Sequence, residues 1–104
     1  RAAASLVAIG QLLDAGCRVR VFDPVALDEC RRRFADTVEY ASGMYDAVRD
    51  ADALLMLTEW KQFRMPNWDA VRDDMHTPLV IDGRNIYDPA ELREHGIEYR
   101  CIGK

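Results

Sequence analysis

The chain has 104 residues, 49% of them hydrophobic, and a formal net charge of -4. That length suits one domain with a real apolar core. The mildly acidic balance excludes a surface built mainly for nucleic acid or anionic membrane, and no apolar run reaches the roughly 20 residues a membrane-spanning helix needs.

Helical patterning begins at once. Leu6, Ile9, Leu12 and Leu13 recur at helical spacing in RAAASLVAIGQLLDAG. Ser5 is expected to cap this helix, and Gly16 stands where a left-handed helix end favours glycine. A free-standing α/β domain more often begins with a strand or a loose tail, so the chain is expected to be a fragment of a longer polypeptide. Val19 and Val21 then alternate with Arg18 and Arg20, which is strand period, and Asp23-Pro24 ends the strand as a turn. A second helix follows through Leu27, Cys30, Arg31 and Phe34, rich in surface arginines.

TVEYA is a short strand candidate, and MYDAVRDA one or two helical turns with Ala47 and Val48 inward. The strongest strand runs from Ala53 to Leu57, apolar on both faces as in a sheet covered by helices on each side. MPNWDAVRDDM reads as a helix capped by Asn67, with Trp68, Val71 and Met75 inward. PLVID is another two-sided strand, DPAELREHG a short helix ending at Gly96, and IEYRCIG a last strand. This alternation predicts an α/β fold, a Rossmann-like three-layer sandwich around a mostly parallel sheet, in a single domain over residues 1–104.

In such sheets ligands bind beyond the carboxyl ends of the strands. Three segments meet that condition: residues 22–24, 57–60 and 81–85. The last, Ile81-Asp82-Gly83-Arg84-Asn85, holds the sharpest candidate. The guanidinium of Arg84 offers a planar fork of donors matched to phosphate or carboxylate. The other reading makes Asp82, Gly83 and Asn85 a turn, with Arg84 paired to Asp82 or Asp88; the pattern alone leaves both open. Thr58, Glu59 and Trp60 fit a strand end, a capping threonine and an aromatic cover, and Trp60, Phe63 and Trp68 fit a packed loop better than a base-stacking platform. Asp23 sits where dinucleotide folds place a ribose-binding acid, but no glycine-rich turn precedes it, so it reads as turn chemistry.

The three cysteines are an odd count at wide spacing, which fits reduced thiols in a cytosolic setting. Cys17 follows a helix end, Cys30 falls within a helix and Cys101 in a terminal strand, so all three read as structural, and none makes metal-ligand spacing with His76 or His95. His95 complements a helix C-terminus, and His76 has no partner visible in the sequence.

Taken in order, Arg1, the run Gly16-Cys17-Arg18-Val19-Arg20-Val21-Phe22-Asp23-Pro24, then Ala51-Asp52-Ala53, Thr58-Glu59-Trp60 with Phe63, Asp82-Gly83-Arg84-Asn85 and Ile102-Gly103-Lys104 resemble the C-terminal domain of the UDP-glucose 6-dehydrogenases. The likeness covers essentially the whole chain, and the Thr-Glu-Trp triplet resembles the UDP-glucose branch of the superfamily. The resemblance implies an enzyme with an N-terminal NAD-binding Rossmann domain, a central helical dimerisation region and this nucleotide-sugar-binding domain. That enzyme would oxidise UDP-glucose to UDP-glucuronate with two NAD through a covalent thiol intermediate. By the same resemblance Arg84 contacts the nucleotide sugar, which decides for the ligand role. Arg1 reaches the cofactor, although the family's usual Arg-Glu-Ser/Ala-Pro is here Arg1-Ala2-Ala3-Ala4. The catalytic cysteine, the NAD loop and the family domain's first strand would lie before Arg1, so no catalytic residue is expected in this chain. Also expected are a UDP-sugar partner, homo-oligomerisation and a cytoplasmic location, with no metal. The rival reading is a non-catalytic α/β interaction or oligomerisation module.

Overall fold

The computed structural model describes residues 2–23, 26–57 and 65–102, with residues 2–4 described by backbone alone. The chain forms two compact units, Arg1–Ala47 and Val48–Lys104. Arg1, Thr58, Glu59, Trp60, Phe63 and Lys104 lie outside the described residues.

The first unit runs α1 (Ala2–Asp14), β1 (Arg20–Val21), α2 (Leu27–Phe34), a 3-10 turn (Ala35–Thr37), β2 (Glu39–Tyr40) and most of α3 (Met44–Val48). Its core is the cluster of Leu6, Ile9, Cys30 and Val38, with Leu13, Val21 and Phe34 packed against it. Helix α1 ends as its glycine predicts. Gly16 takes φ 89°, its N–H donates to Leu13 O at 3.0 Å, and Cys17 N–H donates to Leu12 O at 3.0 Å. This pair of bonds satisfies two carbonyls that the helix end would otherwise leave open. Ser5 is not a cap. The helix already begins at Ala2, so Ser5 falls inside it, and its Oγ is buried with no hydrogen-bond partner among the described residues.

Strands β1 and β2 pair in parallel, Arg20 opposite Glu39 and Val21 opposite Tyr40. The pairing brings Arg20 Nε to 3.1 Å from Glu39 Oε1. The same guanidinium donates to Asp46 O and Ala47 O at 3.2 and 3.3 Å, closing carbonyls in the last turn of α3.

The second unit holds β3 (Leu54–Met56), α4 (Trp68–Asp74), β4 (Leu79–Asp82), α5 (Pro89–Glu94) and β5 (Glu98–Cys101). The strands are parallel in the order β3-β4-β5, with β4 central. Both helices start on side-chain caps: Asn67 accepts from Ala70 N–H, and Asp88 accepts from Ala90 N–H with Pro89 next in the chain. Helix α5 ends like α1, with Gly96 at φ 77° and Ile97 N–H donating to Leu92 O at 3.0 Å. The inward residues Val71, Val80, Leu92 and Ile97 are buried, and Trp68 meets Tyr87 edge to face at 4.8 Å.

The α/β reading therefore holds, with helices alternating with parallel strands, and the ladders fall in two sheets, one in each unit. His76 needs correction. Its backbone and that of Thr77 bond Ala51 O, which brings His76 Nδ1 to 2.8 Å from Asp52 Oδ1. That partner is 24 residues distant in sequence, so local pattern gave no hint of it. His95 ends α5 as expected and in addition sits 2.7 Å from Asp69 Oδ1.

Candidate functional site

The carboxyl edge of the three-stranded sheet is organised around one buried charge. Asp82 is the last residue of β4 and is fully buried. An ionised carboxylate in such a place must be saturated with donors. It is. Oδ1 accepts from the N–H of Arg84 at 2.8 Å and of Asn85 at 2.9 Å. Oδ2 accepts from the N–H of Ile86 at 2.9 Å and from the hydroxyl of Tyr99, on β5, at 2.6 Å.

Burial alone pushes the Asp82 carboxyl up, but the Tyr99 hydroxyl and the three backbone N–H groups outweigh it and hold the group below the usual carboxylate range. Burial and the bond to Asp82 push the Tyr99 phenol up, so it stays a donor. Burial, then the charge of Asp82, pushes Tyr87 the same way.

Successive N–H groups converging on one point form a concavity suited to an anion. Here the chain fills that concavity with its own carboxylate. A phosphate therefore cannot be cradled by the backbone N–H groups of residues 84–86, which are already taken.

Two polar side chains are available. Arg84 and Asn85 are exposed, and neither side chain makes a hydrogen bond or ion pair with a described residue. Asn85 holds φ 57°, in the left-handed region that asparagine tolerates better than most side chains. Gly83 is fixed by close approach. Its N–H donates to Met56 O at 2.8 Å, and an added Cβ would lie 3.3 Å from both Met56 O and Leu57 Cδ2. Ile102 N–H closes the edge by donating to Asp82 O at 3.1 Å.

The turn reading of the sequence is thus half present. Asp82, Gly83 and Asn85 do build the loop, but the ion pair it supplied for Arg84 is absent. Asp82 is spent on four donors, and Asp88 caps α5. Arg1 and the Thr58-Glu59-Trp60 triplet lie outside the described residues. Asp23 accepts from Ala26 N–H at 3.0 Å just ahead of α2, which is turn chemistry. Cys30 is buried, and burial followed by the charges of Asp23 and Glu29 pushes its thiol up, away from the reactive thiolate.

Sequence reasoning missed Tyr99. The available signal was its place as an inward residue between exposed Glu98 and Arg100 on the last strand. That alternation shows that the ring points inward, but not that its hydroxyl meets an aspartate.

Comparison with known proteins agrees with this architecture. Residues 1–89 match the profile of the UDP-glucose/GDP-mannose dehydrogenase family, UDP binding domain. A UDP-glucose 6-dehydrogenase of Pseudomonas aeruginosa is 46% identical over all of this chain and 24% of its own length. One of Rhizobium meliloti is 37% identical over 96% of this chain and 23% of its own length. The chain therefore spans about a quarter of the length of the curated relatives it matches. Among solved structures, an NDP-N-acetyl-D-galactosaminuronic acid dehydrogenase from Methanosarcina mazei Go1 superposes with TM-score 0.76 at 28% identity, over 96% of this chain and 20% of that one.

Proposed function

The chain belongs to the UDP-glucose/GDP-mannose dehydrogenase family, and we propose that it is the nucleotide-sugar-holding part of a UDP-glucose 6-dehydrogenase. The single observation that carries the assignment is an exposed guanidinium, Arg84, that pairs with no described residue, on a loop at the carboxyl edge of a parallel sheet. That is where open α/β sheets receive ligands, and a guanidinium fork matches the doubly charged diphosphate of a nucleotide sugar.

The complete enzyme would oxidise the sugar's C6 alcohol to a carboxylate, for which two NAD would supply the hydride acceptors and one water the second carboxylate oxygen. This chain has no glycine-rich dinucleotide loop in its sequence, so its part is to bind and orient. Arg84 anchors the nucleotide sugar, and Arg1 is assigned to cofactor binding. Three unpaired cysteines suit a reducing cytoplasm. We assign the enzyme a homo-oligomeric state, which sedimentation of the complete protein checks.

The test is Arg84→Ala in the complete enzyme. Loss of a charge-assisted hydrogen bond of about 1.5–3 kcal/mol raises the Michaelis constant for UDP-glucose about ten- to a hundredfold. An unchanged Michaelis constant and turnover would remove the assignment.

A further inference from the structure

We propose that Tyr99 is a positioning residue for Arg84. Acting through Asp82, its hydroxyl fixes the loop that presents the guanidinium, and so sets substrate affinity without touching substrate. The proposal rests on the binding role of Arg84 given above.

Three observations carry it. The Tyr99 hydroxyl and the N–H of Ile86 share Asp82 Oδ2, while the N–H groups of Arg84 and Asn85 share Oδ1. One carboxylate thus couples β5 to every residue from 84 to 86. Asn85 holds φ 57°, in the left-handed region, where its N–H donates to Asp82 Oδ1 at 2.9 Å. At the loop's other end Gly83 N–H donates to Met56 O at 2.8 Å, and a Cβ added there would meet Met56 O and the side chains of Leu57 and Ile102. Without the Tyr99 hydroxyl, Oδ2 keeps one donor, the carboxylate can turn, and Asn85 is released toward ordinary backbone space. Arg84, its chain neighbour, moves with it.

A tyrosine that only fills the core would need its ring and not its hydroxyl. Its phenol proton is committed to Asp82 at 2.6 Å, with Tyr87 O a weaker acceptor at 3.3 Å. The hydroxyl is therefore the part to remove, and phenylalanine keeps the ring.

The experiment compares the complete wild-type enzyme with Tyr99→Phe, Arg84→Ala and the double variant. It reads the Michaelis constant and turnover for UDP-glucose, the Kd of UDP by calorimetry, and the Tm. Tyr99→Phe is expected to raise the Michaelis constant and the Kd about three- to tenfold, with turnover within about twofold. In the Arg84→Ala background the same substitution adds no further loss, because the group it positions is gone. A lowered Tm with unchanged affinity, or an equal loss in both backgrounds, overturns the proposal. Wild-type affinity in Arg84→Ala overturns the binding role and this proposal with it, whereas a loss there with a silent Tyr99→Phe overturns this proposal alone. Amide exchange in the wild-type enzyme supplies a readout independent of any variant. The amides of residues 84–86 are expected to exchange slowly without nucleotide, and fast exchange that slows only on adding UDP contradicts a loop fixed in advance.

Discussion

Two aspartates stand where a strand gives way to a loop, and they are used differently. Asp23 follows β1 and accepts from Ala26 N–H at the entrance to α2. Asp82 ends β4 and gathers three backbone N–H groups and a tyrosine hydroxyl from the neighbouring strand. Within the sequence the two look alike: Phe22-Asp23-Pro24 and Ile81-Asp82-Gly83 both read as an acid closing a strand. The first bond is local, three residues ahead. The Tyr99 bond reaches 17 residues ahead and exists only because β5 docks beside β4. At Asp82 the second strand adds the donor that joins a strand-end acid to its neighbour.

Substitution breaks the comparison most sharply at Asp82. Asp82→Ala leaves a phenol and three N–H groups without their common acceptor, and is expected to destabilise the fold by about 3–5 kcal/mol. Denaturant unfolding of the complete protein reads that loss, and a cost near that of a helix cap would put the two aspartates back in one class. Gly83→Ala comes next, at about 1–3 kcal/mol, because the carbonyl of Met56 cannot yield to a Cβ at 3.3 Å. If the variant keeps its Tm, the loop is looser than its contacts indicate. Asp23→Ala, which removes the acceptor of Ala26 N–H ahead of α2, is expected to cost about 1 kcal/mol by the same unfolding measurement.

The smallest effect is one of pH. The folded-state pKa of Asp82 is depressed, so its stabilisation is complete above the unfolded carboxylate range and is lost as pH falls through the folded value. Tyr99→Phe removes one lowering influence, which moves the acid-unfolding midpoint upward. Fluorescence of Trp68, buried against Tyr87, follows that transition. An unmoved midpoint would mean that the tyrosine hydroxyl does not stabilise the charge.

Most of the elements were legible because their signals are local. Gly16 and Gly96 take the positive φ that ends a helix, Asn67 caps α4, and Pro89 opens α5. Strand period marked β1, and apolar residues on both faces marked β3 and β4. Where an outcome depended on a distant partner, the sequence was silent. His76 met Asp52, and the charge of Asp82 was answered by Tyr99 rather than by Arg84. Ser5 shows the reverse failure: a good capping residue lost its role because helical backbone was already in place before it. For Arg84, the sequence alone could not tell whether its guanidinium pairs with Asp82 or Asp88. The saturation of Asp82, a property of the packed sheet, and the use of Asp88 as a cap leave neither as its partner.

The position of β5 has a consequence for how this region tolerates damage. A polypeptide stopped just after Ile97 would retain the whole Asp82-Gly83-Arg84-Asn85 segment together with β3 and β4, yet lose Tyr99 and the amide of Ile102 that tie that segment down. A break at that point would therefore act as a lesion of residues 82–86, although every one of them was still there.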